Sequence, residues 1–261
     1  MKDTRLIMGM PITIEIVAAS DDAKAREAVE KAFAYFTHID ETFSTYKDAS
    51  EISAINAGRL ARDEWSPEME LVFTLSEETK RASGGFFDIK RPDGNYDPSG
   101  LVKGWAIANA AQLLIKEGFR HFFVEAGGDI QVRGVNGDGD PWMIGVKNPW
   151  SEGENVQAIR ASRNEGVATS GTYIRGTHIY NPRNGKPADA IMSLTVIGPN
   201  IYEADRFATA AFAMGRDGIR FIESIPGLEG YMIDNDKIAT KTSNWDNFQA
   251  PDNEITNNSS L

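Results

Sequence analysis

Asp205 and Thr209 stand four residues apart in the segment YEADRFATAAFAMG, Tyr202 to Gly215. Four residues is just over one turn of an α-helix, so on a helix the carboxylate and the hydroxyl stack on one face. The same segment supplies the helix: Ala204, Phe207, Ala208, Ala211, Phe212 and Gly215 recur at three- and four-residue steps as a stripe for burial, with Asp205 and Thr209 along its flank. Carboxylate, hydroxyl and carbonyl oxygens are the donors a hard cation prefers, and Mg²⁺ usually takes few protein ligands while substrate phosphates supply the rest. The pair points toward phosphate chemistry. A capped or solvent-facing helix start is the plain structural alternative.

Two further segments carry candidate chemistry. DPSGLVKG, from Asp97, combines a turn, a helix start and Lys103 in the first helical turn. Amide donors at a helix N-terminus beside a Lys suit a phosphate or ribose, and the backbone carbonyl of Gly100, free of a side chain, could approach a cation. The alternative is a helix capped by Ser99 or Asp97 with Lys103 facing solvent. The stretch from Gly166 to Pro187 holds a small-residue turn at Thr169-Ser170-Gly171 and then His178, one of three histidines. An imidazole near its ordinary pKa could accept the proton of an attacking hydroxyl at neutral pH, or serve a structural role. His38 lies within a helical pattern and His121 precedes a strand, so both read as structural.

The whole chain sets limits on the partners of such a site. The 27 Lys and Arg against 38 Asp and Glu leave a formal charge of −11, with no basic patch, which argues against nucleic acid and anionic lipid. An anionic substrate must then be neutralised locally, by a cation or a few placed side chains. Absence of Cys excludes disulfides, thiolate nucleophiles and zinc-thiolate sites. The start, MKDTRLIMGMPITIEIVA, has no continuous apolar region of the signal-peptide kind, and no later apolar run is long enough to span a bilayer. A cytoplasmic protein without an integral membrane segment is expected, or an extracytoplasmic one if a signal has been removed.

The elements that must position these residues follow from periodicity. Alternating Ile12, Ile14 and Ile16 predict a strand. Ala25, Ala28, Val29, Ala32, Phe33, Phe36 and Ile39 predict a helix after a cap at Ser20 or Asp21. A second helix is expected from Pro67 to about Ser83, ended by Gly84-Gly85, and a third from near Leu101 to Gly118. FFVEA and IQVRG flank Gly127-Gly128-Asp129 as a hairpin, and WMIGVKN, VQAIRA, GVATSG, IMSLTVIG, GYMID and KIATK add short strands. This order reads as an α+β fold with largely antiparallel sheets. Residues 1–246 are expected to form one folded unit, and 247–261, polar and without periodicity, a disordered tail.

Seven motifs in one order make a resemblance specific: MGM near Met8, FSTYKDASEISAIN from Phe43, DPSGLVKG from Asp97, EAGGDI from Glu125, ATSG from Ala168, THIYNPRNGKP from Thr177 and EADRFAT from Glu203. Together they resemble the ApbE family of FAD:protein FMN transferases over nearly the whole chain. The resemblance implies an ApbE-like fold and a Mg²⁺-dependent enzyme that cleaves FAD, its substrate. FMN would pass through a phosphoester bond to a Thr or Ser hydroxyl of an acceptor protein, releasing AMP. It further implies Asp205, Thr209 and the carbonyl of Gly100 as metal ligands, Met8, Tyr46, Asp97, Lys103 and Tyr180 as residues lining the FAD site, and His178 as general base. Two departures stand out. IKRPDGNY replaces the extended Gly-rich stretch that many relatives carry between the Phe-Asp pair and Asp97, and Ala208 stands where some relatives have a second acid. A Mg²⁺-dependent FAD hydrolase and a non-catalytic FAD-binding protein are the alternatives that share the same groups.

Overall fold

The computed structural model describes residues 1–151, 153–172 and 179–251. In chain order the elements are β1 (Lys2–Ile7), β2 (Met10–Ile16), α1 (Ala23–Phe43), α2 (Glu51–Asn56), α3 (Pro67–Ala82), α4 (Ser99–Lys116), β3 (Phe122–Ala126), β4 (Asp129–Arg133), β5 (Trp142–Lys147), β6 (Asn155–Ala161) and β7 (Gly166–Gly171). There follow β8 (Tyr180–Asn181), β9 (Lys186–Pro187), β10 (Ile191–Gly198), α5 (Ile201–Ala213), α6 (Gly218–Glu223), β11 (Glu229–Asp234) and β12 (Ala239–Lys241).

Eight strands form one sheet in the order β1-β2-β3-β4-β7-β10-β11-β12, every neighbouring pair antiparallel. The α+β expectation is met, and the side-chain alternation of the strands explains the layers. Ile12, Ile14, Ile16, Val124, Ala126, Ala168, Leu194 and Val196 point to a core shared with the helices. Phe123, Ile130, Val132, Val167, Ile197, Tyr231 and Ile233 point the opposite way, where Trp142, Ile144, Val146 and Ile159 of the β5–β6 hairpin cover them. Trp245, fully buried, closes that second core against Tyr231.

Several boundaries differ from expectation. The α1 cap is Asp22, whose carboxylate accepts the N–H groups of Lys24 and Ala25. The α3 cap is Ser66, ahead of Pro67 as anticipated. The strand β1, short and polar, and the one- to two-turn helices α2 and α6 carry too little periodicity to be read from composition. Gly215 lies beyond α5, in a 3₁₀ turn with Asp217. The polar segment expected to fray from Asn247 is tied down over its first residues. Arg160 donates its N–H to the carbonyl of Phe248 (2.7 Å) and Ala250 donates to Ala158 (2.8 Å), extending the edge of β6. Backbone pairing is indifferent to side-chain polarity, which is why composition misplaces this boundary.

Candidate active site

The centre of the site is the crossing of α4 and α5, which pack against one another while α5 lies across β7 and β10. The start of α5 is held from three sides. Asn200 Oδ1 accepts the N–H of Glu203 (2.9 Å), Gln131 Oε1 from β4 accepts the N–H of Ile201 (2.8 Å), and Gly166 leaves no room for a Cβ, which would fall 2.0 Å from the Ile201 nitrogen. A helix fixed this way sets where Asp205 and Thr209 project. Opposite them, Gly100 and Gly104 are one turn apart on α4. A Cβ on Gly104 would lie 2.6 Å from Asp205 Cβ, and one on Gly100 would lie 3.1 Å from Thr209 Cγ2. Two glycines four apart on one helix thus receive two oxygen-bearing residues four apart on the other.

Asp205 is buried, 3% exposed, and its Oδ2 accepts the N–H of Gly104 at 2.8 Å. In an unperturbed α-helix that N–H would be committed to the carbonyl of Gly100. One N–H cannot serve two acceptors fully, so the Gly100 carbonyl keeps at most a shared donor. Burial pushes the Asp205 carboxyl well above the usual carboxylate range; the Lys103 ammonium opposes the shift and the neighbouring Asp129 adds to it.

Lys103 Nζ forms an ion pair with Asp129 and sits 3.7 Å from Asp205 Oδ1. Asp129, 1% exposed, begins β4 directly after the Gly127-Gly128 turn, where both glycines have positive φ (59° and 97°). The β4–β7 ladder stops at Ile130–Val167, and Asp129 Oδ1 accepts the N–H of Thr169 two residues further along β7 (3.0 Å). The Thr169 hydroxyl is 2.8 Å from that of Thr195 on β10. Asp129 and Thr169 were not among the expected site residues. The signal lay in EAGGDI and ATSG, motifs whose acidic and hydroxyl members gain meaning only once β4 and β7 are neighbours.

Gly100, Lys103, Thr169, Asp205 and Thr209 line a cleft of about 660 Å³, within the roughly 300–1,000 Å³ typical of small-molecule and cofactor sites, and Asp129 lies buried behind Lys103. Met8, Tyr46, Asp97, Gly100, Lys103, Tyr180, Asp205 and Thr209 all line the cleft. Met8 enters from the tip of the β1–β2 hairpin with φ 56°, a left-handed conformation unusual outside glycine. Tyr46 stands at the rim, 96% exposed. Asp97 does not cap α4. Pro98 occupies the cap position without a side-chain bond, while Asp97 Oδ1 accepts the N–H of Ser99 (3.1 Å) and Arg91 Nη1 lies 3.6 Å from its Oδ2. Lys103 faces the buried acids rather than open solvent. The Tyr180 hydroxyl donates toward the carbonyls of Asp88 and Lys90 (3.3 and 3.1 Å), fastening the β8–β9 hairpin to the 88–97 loop. Burial, with the Asp88 charge, pushes its phenol up to about 12, so it stays a donor. His178 lies outside the described residues.

Among the described residues no three His, Asp or Glu side chains gather as a metal-binding group. The cleft offers instead one buried carboxylate, one hydroxyl and the backbone carbonyl of Gly100. That set suits a hard cation that completes its shell with phosphate oxygens and water.

The ApbE family model matches residues 8–91 and 90–232. Over 160 residues the chain is 32% identical to the FAD:protein FMN transferase of Escherichia coli (strain K12), a stretch covering 58% of this chain and 46% of that protein. It is 33% identical over 151 residues to the protein of the same name from Klebsiella pneumoniae (strain 342), covering 54% of this chain and 43% of that one. The chain therefore spans about half the length of the curated relatives it matches. Among solved structures, the flavin transferase ApbE of Vibrio cholerae superposes with a TM-score of 0.82 at 22% identity, covering 95% of this chain and 98% of that one. The ApbE protein of Thermotoga maritima superposes with a TM-score of 0.83 at 21% identity, covering 96% and 99%. Motif order, fold and the family match over most of the sequence agree: the chain belongs to the ApbE family.

Proposed function

We propose that this protein is a Mg²⁺-dependent FAD:protein FMN transferase. A Thr or Ser hydroxyl of an acceptor protein attacks the riboflavin-side phosphorus of FAD. The new O–P bond forms as the P–O bond to the adenylate breaks, and AMP leaves with the negative charge. The observation that carries this reading is the apposition of Asp205 and Thr209 to Gly100 and Gly104 at the floor of a cleft that Lys103 also enters.

Asp205, Thr209 and the Gly100 carbonyl would hold Mg²⁺, which when bound supplies positive charge to the diphosphate as charge develops on the leaving group. Lys103 adds a local positive charge in a chain whose overall field repels an anion. The fixed α4–α5 crossing orients these groups before substrate arrives, so little reorganisation is needed at reaction. His178, assigned by resemblance, would take the acceptor hydroxyl's proton. Tyr46 and Tyr180 offer rings against which flavin or adenine could pack.

The test is direct. Incubation with FAD, Mg²⁺ and a Thr-containing acceptor domain should add an FMN mass to the acceptor and release AMP. Chelation with EDTA and Asp205→Ala should each abolish the increment. A matched acceptor left unmodified while FMN and AMP accumulate would replace transfer by hydrolysis, and FAD bound but unchanged would leave a binding protein.

A further inference from the structure

We infer that Asp129 is a positioning residue, which acts on the substrate through Lys103 by tethering its ammonium at the floor of the cleft. The inference rests on the proposed FAD site and deepens it. A Lys side chain is a flexible four-carbon stem ending in a point charge, and holding it in one place costs rotamer freedom. Asp129 can impose that order because it is itself held. The two left-handed glycines of the preceding turn set its backbone, β4 carries it, and the Thr169 N–H fixes one carboxylate oxygen at 3.0 Å. The other oxygen takes the Lys103 ammonium, leaving that ammonium 3.7 Å from Asp205 rather than collapsed onto it.

The arrangement separates two needs. Asp205 must stay available to a cation, and Lys103 must stay near it to meet a phosphate. Without Asp129 the nearest buried carboxylate for Lys103 is Asp205, and pairing there would withdraw both groups. The tether also explains a buried acid directly behind a cleft assigned to an anionic ligand, where field alone would disfavour it.

The two explanations predict opposite signs. If Asp129 acted only through its charge, Asp129→Asn would tighten binding of an anion. If it is a tether, the same variant weakens binding, although Asn still accepts the Thr169 N–H. Equilibrium titration of FAD by flavin fluorescence, in EDTA without metal, reads this out. Asp129→Asn should raise the dissociation constant about tenfold, Lys103→Met by a similar factor, and the double variant should match Lys103→Met within about twofold, because one pathway has already been cut. Thermal melts of all three exclude loss of fold, and Asp129→Glu, which keeps the charge on a longer stem, should recover part of the affinity.

Tighter or unchanged binding in Asp129→Asn, or effects that multiply in the double variant, would overturn the inference. Wild-type protein that binds FAD with this coupling but transfers nothing would refute the proposed transfer and leave the tether standing. Wild-type transfer with FAD affinity indifferent to Asp129 would do the reverse.

Discussion

Gly104→Ala should force apart the α4–α5 crossing that carries the candidate site. The new Cβ would lie 2.6 Å from Asp205 Cβ, 2.8 Å from Asp205 Oδ2 and 2.9 Å from the Ile201 carbonyl oxygen. Carbon atoms pack comfortably at about 3.5–4.0 Å, so α4 and α5 must part by nearly an ångström or twist. Overpacking costs about 1–3 kcal/mol. The same movement stretches the 2.8 Å bond from Gly104 N–H to a buried carboxylate, worth about 1.5–3 kcal/mol as a bond to a charged group. Alanine's better helix propensity returns only about 1 kcal/mol. The net loss is about 2–5 kcal/mol, or a melting temperature lower by on the order of 10 °C at roughly 2–4 °C per kcal/mol for a chain of this size.

Gly100→Ala supplies the internal control. Its Cβ would meet Thr209 Cγ2 at 3.1 Å and Phe87 Cε2 at 3.4 Å, contacts that side chains can relieve. The helix gain should roughly cancel them, leaving stability within about 1 kcal/mol of wild type. Circular-dichroism melts of the two variants, one turn apart on the same helix, make the comparison. If Gly104→Ala melts within a degree or two of wild type, the close approach of α4 and α5 does not govern this site and the reasoning fails.

Three other outcomes follow from the same geometry. Glu125 is raised above the ordinary Glu range, chiefly by burial and against the stabilising N–H of Gly128. Its native pKa therefore exceeds the unfolded one, so its contribution is whole below the unfolded value and is lost as pH rises through the native value; Glu125→Gln should gain stability relative to wild type as melts move from about pH 4 to about pH 7, near and above the ordinary Glu pKa. A constant difference across that range would refute the assignment. Trp245→Ala removes a fully buried indole whose ring centre lies 5.5 Å from that of Tyr231, tilted 31° to it, and chemical denaturation should show a loss of about 3–5 kcal/mol. Ending the chain at Asp246 deletes the backbone bonds that Phe248 and Ala250 make with β6, and faster amide exchange in β5–β6 than in β2–β3 should report the loss.

Local rules reach far along this chain. The 3.6-residue period places α1, α3, α4 and α5, and the two-residue period places most sheet strands, because neighbours within a turn or a pleat meet regardless of what surrounds them. The Gly127-Gly128 hairpin is legible for the same reason: it needs two left-handed residues and finds them adjacent. β1 and α2 escape such rules because a short polar strand and a one- to two-turn helix owe their form to packing rather than to pattern.

The site divides along the same line. Spacing alone pairs Asp205 with Thr209, and it sets Gly100 four residues from Gly104 on a second helix. What the chain does not disclose locally is that these two pairs face one another. The Gly104–Asp205 bond joins residues 101 apart in sequence, and Lys103 meets Asp129 only because α4 packs beneath the β3–β4 turn. Contacts of that range depend on the path of the whole sheet, in which β4 lies beside β7 and α5 settles on β7 and β10. Spacing therefore determined which oxygens travel together, and topology decided that a buried acid and a lysine would meet them.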